Sequence, residues 1–343
     1  MLHNSSMQIT QPILPRVQKN LWQLGVLPIM MLGALSSLIG VYWDIAWHID
    51  IGRDSFFTMP HNFIYAGMLI VLLTTAWGLL ADSRATSFHW QLGRRYIHPG
   101  MLVATISAAL ILFFAPADEL WHRFFGLDVT LWGPMHLVGL TGFTFFTLSG
   151  VLVAWLEREI APLEQRHFFE RIALFFAAAL LGNLMLFLAE YEFNIAQFPI
   201  DFHPLLLAGI SVFPLVLIAK IYPRAWAATK VALIFTGIRL LMHLWLSITE
   251  GMNLAGVSKP VFPVLLLTAV VIDVLVKRVP VWLLGSSAAL VTLLVGFVVN
   301  SNFSQMTWTL PVLLRGGLAG IVLAAVVALF ATRVAKILEP KVV

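Results

Sequence analysis

The sequence of 343 residues contains no cysteine. That excludes disulfides, thiolate-held zinc and cysteine-ligated iron–sulfur clusters, whatever the compartment. Charge is scarce as well: Asp, Glu, Lys and Arg make up 11% of the chain, where a soluble domain carries about a quarter. No long polar linker and no stretch of soluble-domain composition interrupts it. The small basic balance of +4 does not point to nucleic acid, because basic residues in so apolar a chain mark the loops of a membrane protein. What is present is 60% hydrophobic residues and a mean hydropathy of +0.90. The expected class is an all-α, polytopic integral membrane bundle whose first partner is the lipid bilayer.

Hydropathy divides the chain into about ten stretches, each near the roughly 20 apolar residues that cross a bilayer. They cover residues 21–48, 60–81, 98–122, 134–157, 168–190, 203–222, 226–248, 260–277, 280–300 and 308–333. The eighth and ninth are separated only by Lys277, Arg278 and Val279 before Pro280, which predicts a tight helical hairpin. Residues 1–20 form a polar tail that runs directly into a segment long enough to span, so it is read as leading into a first helix rather than as a cleaved signal peptide.

Lysine and arginine fall mainly on alternate connections. One side collects Arg16, Lys19, Arg84, Arg94, Arg95, Arg158, Arg166, Arg171, Lys220, Arg224, Lys230, Lys277, Arg278, Arg333, Lys336 and Lys341, and the other only Arg53, Arg123 and Lys259. This asymmetry predicts cytoplasmic termini. The expected location is the inner membrane of a bacterium or archaeon.

Two stretches stand out. Residues 44–61 read D-I-A-W-H-I-D-I-G-R-D-S-F-F-T-M-P-H, and residues 118–136 read D-E-L-W-H-R-F-F-G-L-D-V-T-L-W-G-P-M-H. Asp44, Trp47, His48, Gly52 and Asp54 align without a gap on Asp118, Trp121, His122, Gly126 and Asp128. Each copy opens with a carboxylate and a histidine four residues apart, on one helix face. Each closes with a histidine just after a proline, a residue suited to the first turn of the next helix. Two imidazoles and a carboxylate form a plausible transition-metal shell, and Cu, Zn, Fe and Mn all suit it. The candidate ligands are therefore Asp44, His48 and His61, and Asp118, His122 and His136, on two-span hairpins and near the outer face. Asp50, Arg53, Asp54, Glu119 and Asp128 are candidates to orient them, and Trp47 and Trp121 are expected to wall the sites.

Other polar residues invite weaker readings. His89, His98 and His167 are expected at the cytoplasmic interface. Arg239, Asp273 and Arg315 lie within spans and are expected to pair with one another. Glu190, Glu192, Asp201 and His203, and separately His243 and Glu250, are candidates for an access route or a further site; residues 190–203 read as a decayed third copy of the motif.

The first stretch resembles the C subunit of the copper membrane monooxygenases, the particulate methane and ammonia monooxygenase family. The resemblance rests on Asp44, Ala46, Trp47, His48, Arg53, Asp54, Phe57, Thr58 and His61, which match an Asp-x3-His-x12-His signature and its neighbouring text. The second stretch, with Glu119, His122, Pro134 and His136, is similar to that family's Asn-x3-His-x13-His site, with Asp118 in place of the Asn. It covers roughly residues 20–160, so the chain divides into a tail (1–20), a monooxygenase-C-like region (21–160) and additional helices (161–343). The resemblance implies copper at both sites, activation of O2, oxidation of a small apolar molecule or ammonia, and partner membrane subunits. A homo-oligomer, zinc or iron in place of copper, and a role in copper storage, loading or transport, or as a scaffold subunit, are the alternatives.

Overall fold

Proline sets the start of three successive helices. Thr58 caps α2 (Met59–Ala81), which carries Pro60 in its first turn; His98 caps α3 (Pro99–Phe125); and α4 (Pro134–Ile160) opens on proline itself. The first turn lacks intrahelical N–H acceptors in any case, so proline costs nothing there and fixes φ for the helix. α1 (Trp22–Asp50) precedes them. A short antiparallel hairpin, β1 (Trp90–Leu92) and β2 (Arg95–Ile97), pairs Gln91 with Tyr96 and joins α2 to α3. The computed structural model describes residues 22–52, 55–82, 86, 88–126, 130–222, 224–249 and 260–338. The polar tail, Arg53, Asp54, Arg84, Asp128, Glu250, Lys259 and Lys341 lie outside the described residues.

The second half continues with α5 (Leu163–Leu184), a 3-10 turn (Met185–Leu188) and α6 (Ala189–Glu192). Then come α7 (Phe202–Ile221), α8 (Ala227–Ile248), α9 (Leu266–Leu275), α10 (Val281–Phe303) and α11 (Leu310–Leu338). Nine helices of the described residues are long and apolar enough to cross a membrane, α5 with α6 counting as one. Large apolar side chains such as Leu318, Val322 and Phe330 face outward, as expected where the surroundings are hydrocarbon.

The expected eighth span, 260–277, is not a full helix. Residues 260–265 have no helical structure, and only Leu266–Leu275 coils. Pro260 and Pro263 account for this, since each removes an N–H and clashes with the preceding turn. The segment nonetheless joins the two ends of the bundle: Val261 N–H donates to the Glu192 carbonyl (2.8 Å), while Asp273 accepts from the amides of Ala228 (3.1 Å) and Thr229 (2.8 Å) at the start of α8. Beyond α9 the chain turns tightly through residues 276–279 into α10, which is the expected hairpin.

α5 is the most enclosed span and packs against α1, α4, α7 and α8. One continuous core joins both halves of the chain. Glycine permits the closest helix contacts: a Cβ on Gly316 of α11 would stand 2.1 Å from the Asp201 carbonyl, and one on Gly33 of α1 would stand 2.9 Å from the Gly67 carbonyl of α2.

The charges within spans do not pair as expected. Arg239 donates to Glu192 (3.1 and 3.3 Å), with its guanidinium 4.4 Å from the Tyr42 ring centroid. Asp273 caps α8, and Arg315 pairs with Asp201 (3.0 Å). The three lie on different helices, α8, α9 and α11, and each meets the partner that helix packing brings to it.

Candidate metal centre

Each motif folds into its own triad. In the first, His61 Nε2 lies 3.0 Å and His48 Nε2 3.5 Å from Asp44 Oδ1. In the second, His122 Nε2 is 3.3 Å from Asp118 Oδ2, and His136 Nε2 is 3.7 Å from Asp118 Oδ1. The donor atoms of each triad lie within 4.8 Å of one another. The carboxylate and one histidine come from the last turns of α1 or α3, and the other histidine from the first turn of α2 or α4. Four-residue spacing on one helix and a proline-fixed entry into the next produce the convergence.

Backbone carbonyls face three of the four imidazoles. Nδ1 of His61 faces the Phe56 carbonyl at 3.0 Å, that of His122 the Gly126 carbonyl at 3.0 Å, and that of His136 the Thr130 carbonyl at 3.1 Å. A neutral imidazole that donates from Nδ1 turns its Nε2 lone pair toward the carboxylate, and this is the arrangement metal-ligating histidines use. The donor set therefore fits a transition-metal ion. Gly52 and Gly126, aligned in the two copies, have φ of +92° and +89°. Only glycine takes that conformation without strain, and at Gly126 it presents the carbonyl that receives His122.

Both triads open onto a single cavity of about 370 Å³. Its apolar walls include Ile45, Ile64, Ile111, Phe114, Leu140 and Phe143, and among the described residues neither lysine nor arginine lines it. Trp47 and Trp121 are not among the lining residues; Trp121 packs on Phe125 instead, with centroids 4.3 Å apart. Phe56 and Tyr65, stacked with centroids 5.2 Å apart, supply the aromatic wall of the first triad.

The remaining expected residues separate into distinct roles. Glu119 pairs with Arg123 on the surface (2.9 Å), and Asp50 ends α1. Glu190 lines the cavity, and its Oε1 accepts from the Thr130 hydroxyl and the Leu131 amide, both at 2.6 Å. His203 turns away from it, stacks on Tyr191 and accepts a hydrogen bond from Trp308 Nε1 at 3.1 Å. Glu190 and His203 thus do not form a third copy of the motif. His243 is exposed and makes an edge contact with Phe262, and its expected companion Glu250 lies outside the described residues.

Two of the three histidines expected at the interface are buried. The His98 ring accepts from Gly100 and Met101 amides to cap α3, and its Nε2 lies 3.5 Å from Glu157. His89 bonds Asp82 at 2.9 Å. His167 remains largely exposed beside Glu170 and Arg224. Neither pairing is written in the sequence, because neither histidine lies near its carboxylate on a single helix.

Comparison with family models, curated proteins and solved structures gave no match.

Proposed function

We propose that this chain is a membrane-embedded oxidoreductase that holds two transition-metal ions, copper first among them, and oxidises a small apolar molecule or ammonia. The observation that carries the proposal is the single cavity bordered by both triads. Asp44, His48 and His61 would hold one ion, and Asp118, His122 and His136 the other. Bound copper would supply the redox chemistry that activates dioxygen. The residues of this chain do the rest: carbonyls at Phe56, Gly126 and Thr130 hold His61, His122 and His136 in the ligating tautomer, and Ile45, Phe114 and Phe143 keep bulk water from a small apolar guest. A volume of about 370 Å³ lies at the small end of ligand pockets. Electrons must enter from a quinol or a partner subunit, because the sequence carries no recognisable redox-cofactor motif of its own.

One observation favours a second reading. A cavity lined by Asp44, Asp118 and Glu190, and by no lysine or arginine among the described residues, attracts cations, which suits copper capture, loading or transport. Two assays separate the readings. Purified, copper-replete protein should consume oxygen only when both reductant and substrate are present; small alkanes, alkenes and ammonia are the substrates to try. No such consumption, together with copper flux into proteoliposomes above that of empty vesicles, would favour metal handling.

A further inference from the structure

The two triads are not supported in the same way. In the first, the carbonyl and hydroxyl that steady His61 come from its own hairpin. The Phe56 carbonyl receives His61 Nδ1 and lies 3.4 Å from the Tyr65 hydroxyl, and Thr58 Oγ1 accepts the His61 amide at 3.4 Å. The second triad reaches across the chain to Glu190.

Glu190 gets there through a defect in a helix. Between α5 and α6 the backbone tightens into the 3-10 turn Met185–Leu188. Four residues at three per turn rather than 3.6 rotate α6 by roughly 80° relative to a continuous α-helix. The carboxylate, 3% exposed, then meets the loop that precedes α4. Its Oε1 takes the Thr130 hydroxyl and the Leu131 amide, and its Oε2 takes the Gln197 amide at 3.3 Å. Thr130 Oγ1 in turn accepts the Trp132 amide at 3.1 Å. The Thr130 carbonyl, fixed by these bonds, receives His136 Nδ1 at 3.1 Å.

We infer that Glu190 is the positioning residue of the second metal centre. It clamps residues 130–132 so that His136 presents Nε2 to Asp118, and in this way makes that centre depend on the C-terminal half of the chain. The inference rests on the metal reading above. All three partners of Glu190 are donors, so both oxygens must accept. Glutamine matches the shape but offers an N–H where an acceptor is required.

The test uses the full chain in lipid nanodiscs, with Glu190→Gln, Glu190→Ala and, from the loop side, Thr130→Val. Amide exchange is first followed in metal-free protein. Residues 130–136 should exchange faster in all three variants, while residues 55–61 keep their wild-type rates. Copper(II) is then titrated, with occupancy followed by paramagnetic resonance and elemental analysis. The wild type should take up two equivalents. The variants should bind one normally and the other about 10–100-fold more weakly, the range seen when a residue that orients a ligand is removed. The resonance lost should be the one that His136→Ala also removes.

Unchanged exchange at 130–136 with normal uptake of both equivalents would overturn the positioning role and leave the metal reading intact. Faster exchange confined to 130–136 in a protein that takes up no metal would do the reverse. Equal weakening of both centres would also overturn the inference, since it would mark Glu190 as a general structural residue.

Discussion

Asp44 Oδ1 and His61 Nε2 stand 3.0 Å apart on two different helices. The contact is possible because α1 and α2 approach backbone to backbone. A Cβ on Gly33 would meet Val71 Cγ2 at 2.3 Å and the Gly67 carbonyl at 2.9 Å. Gly33→Val should therefore wedge the hairpin open, with the roughly 1–3 kcal/mol cost of overpacking. Metal affinity at the first triad should fall while the second is spared. Thermal melting in detergent and site-resolved metal titration check both halves; equal loss at the two triads would contradict the assignment of each triad to its own hairpin.

The charge of Asp44 matters separately from its shape. Asp44→Asn preserves volume and removes the anionic donor that both His48 and His61 approach. Copper affinity at the first triad should drop by at least tenfold, as for other lost ligands and their close partners. Tm in metal-free protein should shift little, because the side chain is partly exposed. A large fall in Tm without a change in metal uptake would assign Asp44 a structural role only.

The buried pair of Arg239 and Glu192 offers a test of packing away from the cavity. Both side chains are almost fully enclosed, 3% and 1% exposed, and Glu192 also accepts from the Tyr42 hydroxyl at 2.8 Å. Removing one member of a buried pair strands the other and costs about 3–5 kcal/mol. Arg239→Met should be severely destabilising, and Arg239→Met with Glu192→Gln should recover part of the loss. Additive losses in that cycle would show that the two charges do not act as a pair.

Asp273 ties α9 to the head of α8 by accepting the Ala228 and Thr229 amides and the Thr229 hydroxyl. Asp273→Ala leaves those donors without their acceptor, a loss of about 1–3 kcal/mol if water does not replace it. Amide exchange at residues 228–229 should accelerate more than at mid-helix positions of α8. Uniform acceleration along α8 would contradict a capping role.

The ligand triads were legible because their geometry is local. A four-residue spacing, a turn of about a dozen residues and a proline at the next helix start are all written in consecutive sequence, and the second copy repeats them. Most of the spans were legible for the same reason: hydropathy is summed over one segment. The partners of Arg239, Asp273 and Arg315 were not, because several helices must pack before an interior charge can choose among carboxylates. Glu190 carried a signal, a carboxylate at a span end, but its role depends on a 3-10 turn that no periodicity marks. The break at residues 260–265 was written in Pro260 and Pro263, and the apolar residues around them outweighed it in the hydropathy reading.

If this chain carries two separate metal centres bordering one cavity, each must load on its own. The most direct measurement is elemental analysis of protein purified in mild detergent and loaded with copper, comparing the wild type with His48→Ala, His122→Ala and the combined variant. The wild type should hold two equivalents, each single variant one and the combination none, all with the same Tm before loading. No copper in the wild type, or one single variant that empties both centres while the fold survives, would contradict it.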